Sequence, residues 1–196
     1  MAYAGQTLDN PVSGERITFR RTAADTNGEL LEFDLTLAPD GHVPGAHVHP
    51  EQEERFYVHS GRMVFRLGLR KIVAEAGDTV IVPAGRVHKF ANGADEPAHV
   101  RVQVVPALDM EELFETTVAL AKEGNTNRKG MPKPLHLALF VERFRREVRA
   151  PFPPAWMVHA LMAPLRYIAR KRGYAARYET ETVTARPVVK PVPATA

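Results

Sequence analysis

The chain has 196 residues, 44% apolar and 25% charged, with a net charge of +3 and no cysteine. That length buries one core with an appendage, and the composition excludes wholesale disorder. Without cysteine, disulfides, thiolate metal sites and cysteine nucleophiles are excluded, so any metal must be held by nitrogen and oxygen.

The charge is unevenly placed. Residues 1–106 hold 11 Lys/Arg against 14 Asp/Glu, while residues 107–196 hold 15 against 9. The high isoelectric point therefore describes the second half. The opening Met1–Gln6 has no basic segment followed by an apolar run, so no secretory signal is expected. No stretch reaches the ~20 apolar residues of a membrane span. A cytoplasmic protein is the expectation, with membrane association not expected.

The first half reads as β. A short apolar run at Arg16–Arg20 is followed by Leu31, Phe33, Leu35 and Leu37 alternating with Glu32, Asp34 and Thr36, the period of two of a half-buried strand. Further strands are expected at Arg55–Val58, around Met63, Phe65 and Leu67, at Lys71–Ala74 and Thr79–Val82, and around Val100, Val102 and Val104. Many short strands divided by Gly, Asn, Asp and Pro imply a sandwich or barrel over residues 1–106.

After Pro106 the period becomes helical. Asp109 followed by Glu112 resembles a capping box, and Gly124 supplies a stop. A second helix is expected where Leu137, Val141, Phe144 and Val148 recur, and a third over about Ala155–Arg172, with Pro164 expected to kink it. These helices make an extension over 107–178 that packs on the barrel or on a dimer partner. The Pro-rich ending, 179–196, is expected to be a disordered tail. The basic helices follow no DNA-reading motif and their aromatic residues are not interleaved in a stacking pattern, so no nucleic-acid partner is expected. The apolar Trp156–Ile168 stretch points to a homodimer instead.

Chemistry concentrates in two clusters framed by glycine and proline: Gly41–Gly61 and Gly77–Asn92. His47 and His49, two apart, point to one side of an extended strand. With His88 and a carboxylate of the Glu53–Glu54 pair, they form a nitrogen and oxygen donor set suited to a divalent transition metal. His42, His59, His99, His136 and His159 lie outside these positions and are expected to be solvated or packed.

Together the two clusters resemble the paired signatures of the cupin superfamily. Gly41, His47, His49, Glu54 and Gly61 match the first, and Gly77, Pro83, Gly85, His88 and Asn92 match the second. The resemblance covers roughly residues 29–105 and implies a mainly β fold, a double-stranded β-helix (jelly-roll barrel), here followed by the α-helical extension. It implies that His47, His49, Glu54 and His88 bind one metal, and that Glu54 rather than Glu53 is the acidic ligand, serving also as a displaceable ligand or catalytic base.

With Glu54 inward, strand alternation sends Phe56 and Val58 inward, and Phe90 beside His88. Phe33 and Phe65 complete the expected walls of an apolar pocket for a small hydrophobic or aromatic molecule. Four donors leave two positions open on a six-coordinate ion, which favours Fe(II) and a dioxygenase-type oxidoreductase. The same geometry with Mn, Ni or Zn favours an isomerase or decarboxylase, and a non-catalytic ligand-binding or sensing module is the reading from another class.

Overall fold

A computed structural model describes residues 2–178; the expected disordered tail at 179–196 lies outside the described residues. The strands are β1 (Thr7–Asn10), β2 (Glu15–Arg21), β3 (Leu31–Leu37), β4 (Glu53–Ser60), β5 (Met63–Leu67), β6 (Arg70–Ala74), β7 (Thr79–Val82), β8 (His88–Asn92) and β9 (Ala98–Val105). The helices are α1 (Met110–Lys122), α2 (Pro134–Arg143) and α3 (Ala155–Lys171). β1 was not expected: its sequence, Thr-Leu-Asp-Asn, is short, polar and without a buried alternation, as befits an edge strand.

Six strands form one sheet in the order β1-β2-β3-β9-β4-β7, and three form another in the order β6-β5-β8. Neighbours are antiparallel, and the long jumps from β3 to β9 and β9 to β4 wrap the chain into a double-stranded β-helix. Alternation decides what faces inward. Leu31, Phe33, Leu35 and Leu37 of β3 are buried, opposite Val104, Val102, Val100 and Ala98 of β9. The two sheets meet through aromatic rings: Phe56 of β4 lies 5.0 Å from Phe65 of β5 and 5.2 Å from Phe90 of β8. Such contacts add roughly 0.5–1.5 kcal/mol each beyond the area they bury.

The turn between β4 and β5 needs glycine. Gly61 has φ of 79°, and a Cβ there would stand 2.7 Å from Ala98 Cα. Asn92 ends β8 by donating to the carbonyls of Leu37 and Glu96, so it ties the strand's end to two loops.

The helical part departs from expectation at two points. Asp109 makes no side-chain capping bond; its carboxylate pairs with Arg143 at 2.8 Å, and Glu112 turns to the same guanidinium. The ion pair from α2 wins over the capping box. The second helix stops at Arg143 rather than running to Val148. Beyond it Phe144 is fully buried, and Arg149 exchanges two backbone hydrogen bonds with Val48, both 2.9 Å, so sheet-like pairing replaces the last helical turn.

α1 lies against β1, and Gln6 donates to Glu115 at 2.8 Å. α3 packs on α2, with Arg166 and Arg170 paired to Glu142. It remains helical through Pro164, and its outer face leaves Trp156 69%, Leu161 60% and Tyr167 65% exposed. The turn at Tyr174–Arg177 brings the chain back to α2, where Tyr174 stacks on His136 at 4.8 Å and Tyr178 lies 3.2 Å from its Nδ1. His136 is therefore a packed histidine. Among the described residues, no helix is long and apolar enough to cross a membrane.

Candidate metal centre

Three places in the chain deliver the four expected donors to one point. Glu54 lies on the inward side of β4, while Glu53 faces outward and pairs with Arg55 at 2.7 Å. His88 opens β8. His47 sits opposite it, their backbones exchanging two 2.9 Å hydrogen bonds, and His49 follows on the same side. One ligand atom from each of His47, His49, Glu54 and His88 lies within 4.8 Å of the others. His49, Glu54 and His88 are buried, and His47 is half-buried.

Each imidazole is oriented by its rear nitrogen. Nδ1 of His47 faces the Gly45 carbonyl at 2.9 Å, Nδ1 of His88 the Arg86 carbonyl at 3.0 Å, and Nδ1 of His49 the Glu147 carbonyl at 2.5 Å. Backbone carbonyls only accept, so all three rings donate from Nδ1 and turn Nε2 toward the centre, where each neutral ring offers its lone pair. His49 Nε2 stands 3.3 Å and His88 Nε2 2.8 Å from Glu54 Oε2. None of these three buried atoms has a hydrogen-bond partner.

Lone pairs facing a carboxylate oxygen at such distances repel unless a cation or a proton stands between them. That is the environment a divalent ion would relieve, and a nitrogen and carboxylate set of this kind fits one. The titration behaviour agrees. Burial and the two neighbouring imidazoles push His47 down to about 3. Burial lowers His49 as well, but the adjacent Glu54 carboxylate outweighs it, and His49 ends above its ordinary value. Burial favours neutral Glu54, yet His49 and His88 hold it well below the usual carboxylate range.

A cavity of about 240 Å³ opens beside the donors. Phe33, Phe56 and Phe90 line it, with Ile17, Leu35 and Val102. Phe65 and Val58 are buried behind that wall and do not border the space; Phe65 backs Phe56 and Phe90 instead. His42, His59 and His99 do not border it, and His59 and His99 lie on an outer groove of the large sheet.

Most of the lining escaped the sequence reading. Met110, Leu113 and Phe114 of α1, the loop residues Gly130, Met131 and Pro132, and Leu137, Phe140 and Val141 of α2 roof the barrel mouth. Helical periodicity marks these residues as one face of each helix, but it does not say what that face covers. Few polar groups interrupt the walls. Glu15 is one; its carboxyl takes a 2.6 Å hydrogen bond from Ser13 and is raised by burial. Arg149, exposed at the rim, is another.

Residues 33–105 match the family model for the cupin domain, and this segment of the chain is a cupin domain. Comparison with curated proteins finds no match. Among solved structures, the chain is similar to KdgF from a Halomonas species (16% identity, 54% of this chain and 92% of that one, TM-score 0.47). It is also similar to a predicted oxalate decarboxylase from Thermotoga maritima (19%, 52% and 90%, 0.46). A third is TT1209 from Thermus thermophilus (26%, 40% and 74%, 0.38).

Proposed function

We propose that this cupin domain binds one divalent transition metal through His47, His49, Glu54 and His88, and uses it to transform a small hydrophobic or aromatic molecule held in the roofed cavity. The observation that carries the reading is the convergence of buried donor atoms without hydrogen-bond partners, beside an apolar chamber. Fe(II) is the favoured ion and a dioxygenase-type oxidation the favoured reaction; Mn, Ni or Zn in the same place would suit an isomerase or decarboxylase. When bound, the ion supplies Lewis acidity and, as Fe(II), one-electron chemistry with O₂.

The chain's own groups supply the rest. Phe33, Phe56 and Phe90 offer flat apolar walls against the donors, and residues of α1 and α2 line the cavity opposite them. Glu54, ionised in this setting, is the group placed to accept a proton from a substrate at the donor cluster. The apolar outer face of α3 supports a homodimer in which Trp156 and Leu161 meet a second copy.

The test is metal analysis of freshly purified protein, followed by O₂ uptake after Fe(II) loading across a panel of aromatic and diketone compounds. Consumption with one class of compound, abolished together with metal content by His49→Ala, is the expected outcome. Tight iron without O₂ consumption would favour a metal-bearing binding module, and unchanged metal content in His49→Ala would overturn the centre.

A further inference from the structure

Two of the three histidines are oriented locally, by carbonyls two residues earlier in the chain: Gly45 for His47 and Arg86 for His88. His49 differs. Its Nδ1 is held by the carbonyl of Glu147, 98 positions away in the helical extension. The extended segment carrying His49 is also paired there, through the two hydrogen bonds that join Val48 and Arg149. Around this contact the extension is anchored. Phe144 is fully buried, the Glu147 carboxylate receives the Asp109 amide at 3.2 Å, and Arg146 pairs with Glu51 at 2.7 Å.

We propose that the segment Glu147–Arg149 is a positioning latch for His49, so that metal binding and docking of the helical extension are one coupled equilibrium. This rests on the metal-binding reading above. The physical reason is tautomer control. A free imidazole rotates and can place its proton on either nitrogen, whereas a carbonyl fixed behind Nδ1 keeps the lone pair on Nε2 and aims it. If the latch is undocked, three donors remain built and the fourth must be ordered at the cost of binding energy. Linkage then requires the converse: an ion that binds only the oriented ring stabilises the docked latch by the same factor. The same segment lines the cavity through Val148, Arg149 and Ala150, so an ion at the centre also orders that part of its wall.

The experiment uses the full chain with Co(II) as the probe. Amide hydrogen exchange is followed at Arg149 and Val48, with and without the ion, in the parent and in His49→Ala. Co(II) should slow exchange of both amides in the parent and leave them unchanged in His49→Ala. Arg149→Pro removes the donor to Val48; Co(II) affinity, read by competition with a chromophoric chelator, should fall about 10- to 100-fold, with a change in the visible spectrum of the ion. A purely structural segment would not respond to the ion. Failure of the parent to bind Co(II) would overturn both readings. Co(II) bound by the parent, with the Arg149 and Val48 amides unmoved, would overturn the latch alone, whatever the folding of Arg149→Pro.

Discussion

Phe33 of the barrel and Phe114 of α1 meet edge to face, their ring centres 5.1 Å apart. One ring belongs to the wall beside the donors and the other to the roof, so the helices finish a chamber that the barrel begins. A roof residue can therefore be changed without touching the donors. Val141→Phe adds a ring to the α2 side of the chamber. Metal content should stay at the parent level while ligand binding or turnover is lost, at a stability cost of about 1–3 kcal/mol. Metal analysis and activity on one sample check this; loss of the metal would place Val141 in a different role.

Glu54→Gln keeps the shape of the side chain and removes its charge. Metal affinity should fall on the order of 100-fold or more, since losing even a residue that only orients a ligand costs about 10- to 100-fold. His49 should also lose its elevated pKa, because the Glu54 carboxylate is what lifts it above its ordinary value. A titration of the His49 ring by NMR, with a chelator competition assay, reads both effects.

The pH dependence follows from opposite shifts at neighbouring rings. Without an ion, His49 is raised above 6.5 in the fold, so it contributes stability present in full below 6.5 and lost as pH rises through its folded value. His47, pushed to about 3, stays neutral in the fold while the unfolded chain takes a proton below 6.5. Its contribution therefore weakens stability as pH falls from 6.5 toward 3. Metal uptake must displace the His49 proton, so affinity should rise with pH up to the folded value and level off above it. Calorimetry in buffers of different ionisation enthalpy should detect the released proton at pH 6.5, where a ring raised above its ordinary value is mostly protonated; binding without release would contradict the assignment.

If α3 meets a second copy, replacing both Trp156 and Leu161 with Glu should halve the mass seen by light scattering and leave metal content intact. A parent chain that is already monomeric would remove the homodimer from the proposal.

The barrel was legible because its strands obey a strict period: the buried set of β3 could be read from Leu31 to Leu37. The four donors were legible because they lie in framed motifs, and inward parity from Glu54 points to Phe56, which borders the cavity beside them. Parity alone could not tell lining from backing, which is why Phe65 and Val58 were expected at the chamber but lie behind it. β1 was illegible because an edge strand with one buried residue leaves no pattern. The Glu147 contact was illegible for a deeper reason: a backbone carbonyl belongs to every residue, so no side-chain code announces it.

The donor quartet is complete in the chain at residue 88, yet its roof extends to Ala150. A ribosome adding roughly 5–20 residues per second needs several seconds to span that gap. Through that interval the nascent barrel would show Phe33, Phe56 and Phe90 to water. A fragment ending at Pro106 should accordingly be sticky, and its soluble yield against that of the whole chain would measure how much the late helices shield the early strands.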